Sequence, residues 1–162
     1  MRLPEPTDNK ILTAADAVRM IALWRNAGQT VSFTNGVFDL LHEGHLFSIG
    51  QAAGEADRLI IGLNSDASVK RLKGDARPIQ NEHTRASVLA ALAAVDAVVV
   101  FEEDTPEGLI GKLLPDVLVK GGDYTPDQIA GADVVRARGG RVVINPIREG
   151  FSTSATITRI RG

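Results

Sequence analysis

Cysteine is absent from the 162 residues, and aromatic residues, excess charge and long apolar runs are scarce. Without cysteine, the chain has no disulfide scaffold and no thiolate metal site. Aromatic residues make up 4% of the chain, and 18 basic side chains nearly balance 20 acidic ones. Nucleic-acid-binding proteins usually carry stacking aromatics and a basic surface. We therefore expect a small-molecule ligand and no nucleic-acid partner.

No apolar run approaches the roughly 18 residues of a membrane-spanning helix. The N-terminus is polar and contains proline, unlike a signal peptide. We expect a cytoplasmic protein with no membrane partner. A chain of this length suits one domain that buries roughly two-thirds of its unfolded surface. The expected organisation is a single domain over residues 1–162, with an N-terminal helical extension over 1–28 and a core over 29–162.

Short β-branched runs alternate with segments of helical periodicity, which is typical of βαβ units and a parallel sheet. The predicted strands cover residues 30–35, 58–64, 96–101, 116–120 and 141–145. Most are continuously rich in Val, Ile and Leu, as in strands that are covered on both faces. The sequence therefore predicts an α/β three-layer sandwich with a five-stranded parallel sheet.

Capping residues indicate where several helices begin. Thr13 is a suitable N-cap for a first helix, and Asn81 for a later one. Thr105 and Pro106 combine a capping side chain with proline at the first helical position. The final helix is expected to follow Ser152. Ligands of open parallel sheets bind at the carboxyl ends of the strands, so polar clusters after the strands are candidate site residues.

The segment from Thr34 to His45 joins the first predicted strand to a helix start. Gly36 leaves the backbone free to approach a ligand, and the helix start presents unpaired amides and the positive end of its dipole. His42 and His45 share one helical face and can both donate to one phosphate group. A chance histidine pair on a solvated helix is the alternative. The position after a strand end, with Gly44 between the histidines, favours phosphate binding.

Three further polar clusters follow strand ends. A basic loop after the second strand could clamp anionic oxygens, although a solvated helix face would give the same pattern. Two glycines after the fourth strand allow close approach of a ligand, but also fit an ordinary turn. Hydroxyls at the last helix start form an anion site or a simple cap. The clusters are 64–77 with Asn64, Lys70, Lys73 and Arg77, 120–124 with Lys120, Gly122 and Asp123, and 148–154 with Ser152, Thr153 and Ser154.

Together these segments resemble the HxGH nucleotidylyltransferase superfamily, the cytidylyltransferase-like enzymes, from about Val31 to the C-terminus. Residues 42–45 match the HxGH signature, and 148–154 are similar to the RTEGxSTS element, with Glu149 and Gly150 retained. The runs 64–78, 101–106 and 120–124 closely resemble the heptose 1-phosphate adenylyltransferase domain. The resemblance implies a Rossmann-like catalytic core over 29–162 with sheet order 3-2-1-4-5. That order places the histidine segment and 120–124 on opposite lips of one crevice.

The resemblance implies transfer of AMP from ATP to D-glycero-β-D-manno-heptose 1-phosphate, giving ADP-heptose and pyrophosphate for lipopolysaccharide core or surface polysaccharide precursors. ATP chemistry implies Mg²⁺, but no carboxylate cluster has clear ligand spacing, so no protein metal ligand is expected. The familiar fused form also carries a heptose kinase, and no kinase region is present here, so a stand-alone adenylyltransferase is expected. A glycerol-phosphate or ethanolamine-phosphate cytidylyltransferase and, more distantly, a non-catalytic nucleotide sensor remain alternatives.

A sugar 1-phosphate is already an ionised nucleophile near neutral pH, so catalysis requires positioning and charge neutralisation and no activating base. The resemblance implies catalytic roles for His42, His45, Lys70 and Lys73, and substrate-binding roles for Asp39 and Arg77. The residues with implied nucleotide-binding roles are Asn35, Gly36, Val37, Phe38, Gly44, Asn64, Arg85, Lys120, Gly122, Asp123, Ser152, Thr153 and Ser154. The third histidine, His83, is expected to face solvent.

Two helices carry more apolar residues than are needed to cover the sheet. The residues concerned are Val18, Ile21, Leu23 and Trp24 on the first helix, and Leu46, Phe47 and Ile49 after the histidine segment. Surplus apolar surface needs a partner, and related transferases pair near the HxGH helix. We expect a homodimer. The alternative is that the first helix packs on its own sheet.

Overall fold

The computed structural model describes residues 6–148 and 150–161, the last of these by its backbone alone. Its strands are β1 (Val31–Gly36), β2 (Arg58–Asn64), β3 (Ala97–Phe101), β4 (Val117–Gly121) and β5 (Arg141–Asn145). They pair in parallel in the order β3-β2-β1-β4-β5. The predicted α/β Rossmann-like fold with a single parallel sheet is confirmed, and the strand bounds agree to within one residue.

One contact at the edge of the sheet was not predicted. Ile11 forms an isolated parallel bridge with Val98, and the Leu12 amide donates to the Val98 carbonyl at 2.9 Å. When this residue is counted as a strand, the sheet has six strands. Numbered along the chain, they lie side by side in the order 1-4-3-2-5-6, so the expectation of five strands is corrected at this edge. A one-residue bridge produces no alternation that a sequence pattern could reveal.

The described residues form seven α-helices. They are α1 (Ala14–Asn26), α2 (Glu43–Ala53), α3 (Asp66–Lys73), α4 (Glu82–Ala90), α5 (Glu107–Leu113), α6 (Ala132–Ala137) and α7 (Thr153–Arg161), with 3₁₀ turns at Thr7–Lys10 and Pro126–Gln128. The predicted caps of α1 and α4 are confirmed: the Thr13 hydroxyl accepts from the Asp16 amide, and the Asn81 side chain accepts from the Thr84 amide at 2.8 Å. No helix in the described residues is long and apolar enough to span a bilayer.

Two local predictions are wrong. The basic segment after β2 is the helix α3 and not a loop, since the Ser65 hydroxyl caps it by accepting from the Ser68 amide at 3.2 Å. Its charged sequence has only a narrow apolar face, so periodicity did not reveal it. Thr105 does not cap α5, because Pro106 occupies the N-cap position and has no side-chain cap bond.

The sheet separates two apolar layers. Alternate β2 residues point to opposite faces, so Ile60 packs with α1, α5 and α6 while Leu59 and Ile61 pack with α2 and α4. Ala17 and Ile21 of α1 are buried in the first layer. The first helix therefore packs on its own sheet, and Ile21 is not available for a partner.

Candidate active site

Two adjoining pockets of about 370 Å³ each lie at the carboxyl ends of the central strands. Both are lined by Asn35, Gly36, Val37, Lys73, Lys120 and Tyr124. The first, here called the histidine pocket, adds Thr34, Phe38, Asp39, His45, Ser48, Arg77, Gly121, Ile147, Ser152, Thr153 and Ser154. The second, the side pocket, adds Asn64, Leu72, Asp104, Thr105, Pro106, Gln128, Ile129 and Ala130. The shared residues make the pockets two compartments of one crevice, with β1 and β4 at its centre.

The two histidines stack at the start of α2. His42 is the N-cap residue, and its Nδ1 accepts from the His45 amide at 3.4 Å. The rings are 3.8 Å apart between centroids and 16° from parallel. Because Nδ1 of His42 is an acceptor, the proton of the neutral ring is on Nε2, which is therefore the available donor.

Burial keeps both imidazoles neutral near pH 7. It lowers the pKa of His42 and, together with the neighbouring His42, lowers the pKa of His45 to about 4, although the Asp39 carboxylate opposes this. Nδ1 of His45 is buried without a hydrogen-bond partner among the described residues. A neutral imidazole still donates one N–H bond, so the pair offers polar donors to an anion without a fixed positive charge.

Aromatic rings enclose the histidine pair on both sides. Phe38 lies edge-on to His45 with centroids 5.5 Å apart, and Phe151 lies over His42 at 6.0 Å. A Cβ added to Gly44 would come within 2.9 Å of the Phe151 Cβ and 3.1 Å of the His42 ring. Gly44 therefore permits the close approach of the α7 loop to the His42 ring. The contact of Phe151 was missed from the sequence, where no periodic pattern marks it.

Asp39 joins the histidine segment to residues 77–80. Its carboxylate is fully buried and accepts from Arg77 Nε at 2.9 Å, the Ile79 amide at 2.8 Å and the Gln80 amide at 3.0 Å. Burial alone would raise the pKa of Asp39, but these donors outweigh it and hold the pKa below its ordinary value. Asp39 thus holds Arg77 at the rim of the histidine pocket.

Arg85 is buried beneath the crevice and lines neither pocket. Its guanidinium donates to the carbonyls of Gln80, Val37 and Asn64 and to the Asp66 carboxylate, at 2.7 to 2.9 Å. These bonds connect the ends of β1 and β2 to the start of α3. The geometry gives Arg85 a positioning role.

Two lysines face the junction of the pockets. Lys73, at the end of α3, lines both compartments, and so does Lys120, near the end of β4. Nζ of Lys120 donates to the Asn35 side chain at 3.4 Å and lies 5.9 Å from the centre of the Tyr124 ring. Burial lowers the pKa of Lys120. An anion bound between these lysines would offset the cost of burying the Lys120 ammonium group.

The start of α7 closes the histidine pocket. The Ser152 hydroxyl accepts from the Ala155 amide at 3.4 Å, and the Thr153 hydroxyl donates to the Asp39 carbonyl at 3.0 Å. Arg148 pairs with Glu43 at 2.6 Å, which ties the α7 loop to α2. Two helix N-termini, those of α2 and α7, thus flank one pocket, an arrangement that favours bound anions.

The structure brings most of the predicted site residues to the crevice. Those that line a pocket are Asn35, Gly36, Val37, Phe38, Asp39, His45, Asn64, Lys73, Arg77, Lys120, Ser152, Thr153 and Ser154. Those that line neither are His42, Gly44, Lys70, Arg85, Gly122 and Asp123. His42 and Gly44 adjoin the pocket through His45, whereas Lys70 is exposed on α3. Glu149 lies outside the described residues.

Other lining residues were not predicted to bind a ligand. Asp104 and Thr105 belong to the 101–106 run that carried the resemblance, so a signal for them was present. Tyr124 likewise belongs to the 120–124 run, whereas Gln128 and Ile147 lie outside every segment that the sequence singled out. His83 is exposed, as expected. Within the described residues, no three His, Asp or Glu side chains are grouped as a metal site.

Comparisons with known proteins agree with this geometry. A family model described as Cytidylyltransferase-like matches residues 33–159. The bifunctional protein HldE of Rhodospirillum rubrum is 58% identical over 155 residues, which are 96% of this chain and 31% of that protein. HldE of Mesorhizobium japonicum is 58% identical over 158 residues, covering 96% of this chain and 32% of its own length. The chain thus spans about a third of the length of these curated relatives.

A solved structure supports the same relationship. The lipopolysaccharide core biosynthesis protein of Thermoplasma volcanium GSS1 superposes with a TM-score of 0.59 and 26% identity, over 75% of this chain and 98% of that one. The family match covers most of the chain and includes the histidine signature, both lysines of the crevice and the start of α7. The chain belongs to the Cytidylyltransferase-like family of nucleotidyltransferases.

Proposed function

We propose that the protein transfers AMP from ATP to D-glycero-β-D-manno-heptose 1-phosphate, forming ADP-heptose and pyrophosphate. The observation that carries the proposal is the meeting of the heptose-type segments, 64–77, 101–106 and 120–124, around one crevice beside His45. The HldE relatives, whose matching part is the adenylyltransferase domain, support the same substrates. The name of the T. volcanium structure supports a role in making lipopolysaccharide core precursors.

The proposed reaction needs no proton transfer. A phosphate oxygen of the sugar 1-phosphate attacks the α-phosphorus of ATP, the bond from that phosphorus to the bridging oxygen breaks, and pyrophosphate leaves with the bond electrons. Both reactants are anions, so the protein must offset their repulsion and align them. Lys73 and Lys120 face the junction where the two phosphate groups would meet, and Arg77 lies at the rim.

The histidine pair would donate to the triphosphate. Nε2 of His42 and the N–H of neutral His45 are donors that hold their orientation before the substrate arrives, because the rings are stacked and enclosed. Such donors stabilise the charge that develops on the leaving oxygens at no cost of reorganisation. The start of α7, with Ser152 to Ser154, would add backbone and hydroxyl donors.

Mg²⁺ fits this site only as a companion of the phosphates. The Asp39 carboxylate already accepts three hydrogen bonds, and the described residues offer no group of three acidic or histidine ligands. Triphosphate oxygens and water would therefore supply most of the ligands, and the ion would offset phosphate charge.

The supply of ATP also supports the expected cytoplasmic location.

We also propose that the protein forms a homodimer. Exposed apolar side chains on α1 and α2 support this: Leu23 is 61% exposed, Leu46 48% and Val18 41%. Two residues expected to contribute, Ile21 and Ile49, are buried in the core and would not. The proposal therefore depends on a smaller apolar surface than the sequence indicated.

Pyrophosphate release with different substrate pairs tests the proposed function. ATP and CTP are each combined with heptose 1-phosphate, glycerol 3-phosphate and ethanolamine phosphate. We expect the highest kcat/KM for ATP with heptose 1-phosphate, and turnover should fall by about 10² to 10³-fold in His45→Ala, the usual loss of one preorganised donor. Preferred turnover of CTP with glycerol 3-phosphate or ethanolamine phosphate would instead identify a cytidylyltransferase. Tight ATP binding with no turnover of any pair would identify a nucleotide sensor.

A further inference from the structure

The chemistry of the crevice changes from the histidine pocket to the side pocket. The histidine pocket has His45, Arg77 and the N-terminal end of α7 in addition to the two shared lysines. Among the described residues, the side pocket has no cationic side chain of its own. Its own polar side chains are those of Asn64, Asp104, Thr105 and Gln128. A polyphosphate thus fits the histidine pocket, and an uncharged hydroxyl-rich group fits the side pocket.

Two polar groups of the side pocket are held in place by other residues. Oδ1 of Asp104 accepts from Arg71 Nε at 2.8 Å, and Arg71 also donates to the Glu102 carbonyl. Oε1 of Gln128 accepts from the Thr125 amide at 2.9 Å. These bonds engage one oxygen of each side chain, so Asp104 retains Oδ2 as an acceptor and Gln128 retains its amide as a donor.

A sugar hydroxyl both donates and accepts, so a fixed carboxylate oxygen and a fixed amide N–H together can distinguish its position and orientation. Ile129, Leu72 and Pro106 supply the apolar surface on which the carbon faces of a sugar can pack. The volume of about 370 Å³ is within the usual range for a small-molecule site. At the shared end of the pocket, Lys73 and Lys120 would receive the phosphate of the same molecule.

We infer that the side pocket is the sugar compartment and that Asp104 and Gln128 determine acceptor specificity by binding sugar hydroxyls. The inference rests on the proposed function for the identity of the sugar, but the division of the crevice stands on the residues themselves. The acceptor enters with its phosphate between Lys73 and Lys120 and its carbon chain towards Gln128. The nucleotide occupies the histidine pocket, where Ile147 and Gly121 form an apolar wall for the base.

Two conservative variants test this assignment. Asp104→Asn keeps an oxygen for Arg71 but replaces the second acceptor with a donor, and Gln128→Glu keeps an oxygen for the Thr125 amide but replaces the donor with a carboxylate. Each should raise the KM for heptose 1-phosphate about tenfold, the effect of one charge-assisted or mispaired hydrogen bond, with the KM for ATP unchanged. Each should also reduce the preference for heptose 1-phosphate over mannose 1-phosphate. Asp127→Asn, next to Gln128 but outside the lining, is the matched control and should change neither KM.

The outcomes separate this inference from the proposed function. If the wild type prefers another nucleotide and acceptor, the proposed function fails, and the same variants are then measured against that acceptor. Calorimetric titration with heptose 1-phosphate gives the comparison without turnover. An unchanged KM for the acceptor in both variants, or a rise in the KM for the nucleotide alone, would overturn the assignment of the side pocket.

Discussion

The protonation of His45 gives a prediction that depends only on the architecture of the site. Burial and the adjacent His42 ring lower its pKa from 6.5 to about 4. A histidine with a lower pKa in the folded than in the unfolded protein binds fewer protons when folded, so the free energy of unfolding should fall as the pH decreases from 6.5 towards 4. The full shift corresponds to about 2 kcal/mol between pH 7.5 and 5, but solvent screens the partly exposed ring, so we expect a contribution of about 1 kcal/mol.

Urea denaturation at the two pH values measures this contribution. His45→Gln removes the titrating group, so the variant should lose about 1 kcal/mol less stability than the wild type on going from pH 7.5 to 5. The matched control is His83→Gln, which makes the same exchange at an exposed histidine that lines neither pocket. Equal pH dependence in the wild type and His45→Gln would refute the claim that burial keeps His45 neutral.

The contacts of the crevice give three further predictions, and the exposed apolar side chains of α1 give a fourth. His42→Ala should lower kcat by about 10² to 10³-fold with little change in the urea midpoint, and near-native turnover would remove His42 from the mechanism. Lys73→Met should raise the KM for both substrates in steady-state assays. Lys70→Met should have little effect because Lys70 lines neither pocket, and equal effects of the two variants would contradict the placement of Lys73 in the site. Asp39→Asn should lower the free energy of unfolding by about 3 kcal/mol in chemical denaturation, since it breaks a buried ion pair. An unchanged denaturation midpoint would show that Asp39 is not what holds residues 77–80 in place. Light scattering should give about twice the single-chain mass of 17.2 kDa and a lower mass for Leu23→Glu, while a wild-type mass near 17.2 kDa would exclude the dimer.

The sequence predicted the sheet well because parallel strands covered on both faces have long β-branched runs. Strands 58–64 and 141–145 have the predicted bounds, and the order of the main strands follows from the family resemblance. The bridge at Ile11 is too short to leave a pattern. The helix α3 was missed because its stability comes from the Ser65 cap and one buried apolar residue, Val69, and not from a broad apolar face.

The site was predictable where a short motif concentrates its chemistry. The histidine segment and the hydroxyls of 152–154 were found in this way, and they meet at one pocket. The roles of Asp39 and Arg85 in holding segments together depend on contacts between residues 19 to 48 positions apart. A motif identifies such residues without distinguishing a ligand contact from a structural bond. The side pocket likewise forms only when the loops after β3 and β4 come together.

The central claim is the transfer of AMP to a sugar phosphate, and radiolabelled ATP tests it most directly. The protein is incubated with heptose 1-phosphate and ATP labelled at either the α- or the γ-phosphorus, and the products are separated. We expect the α-label in ADP-heptose and the γ-label in pyrophosphate. Transfer of the γ-label to the sugar, or no α-label in any sugar product while CTP supports turnover, would contradict it.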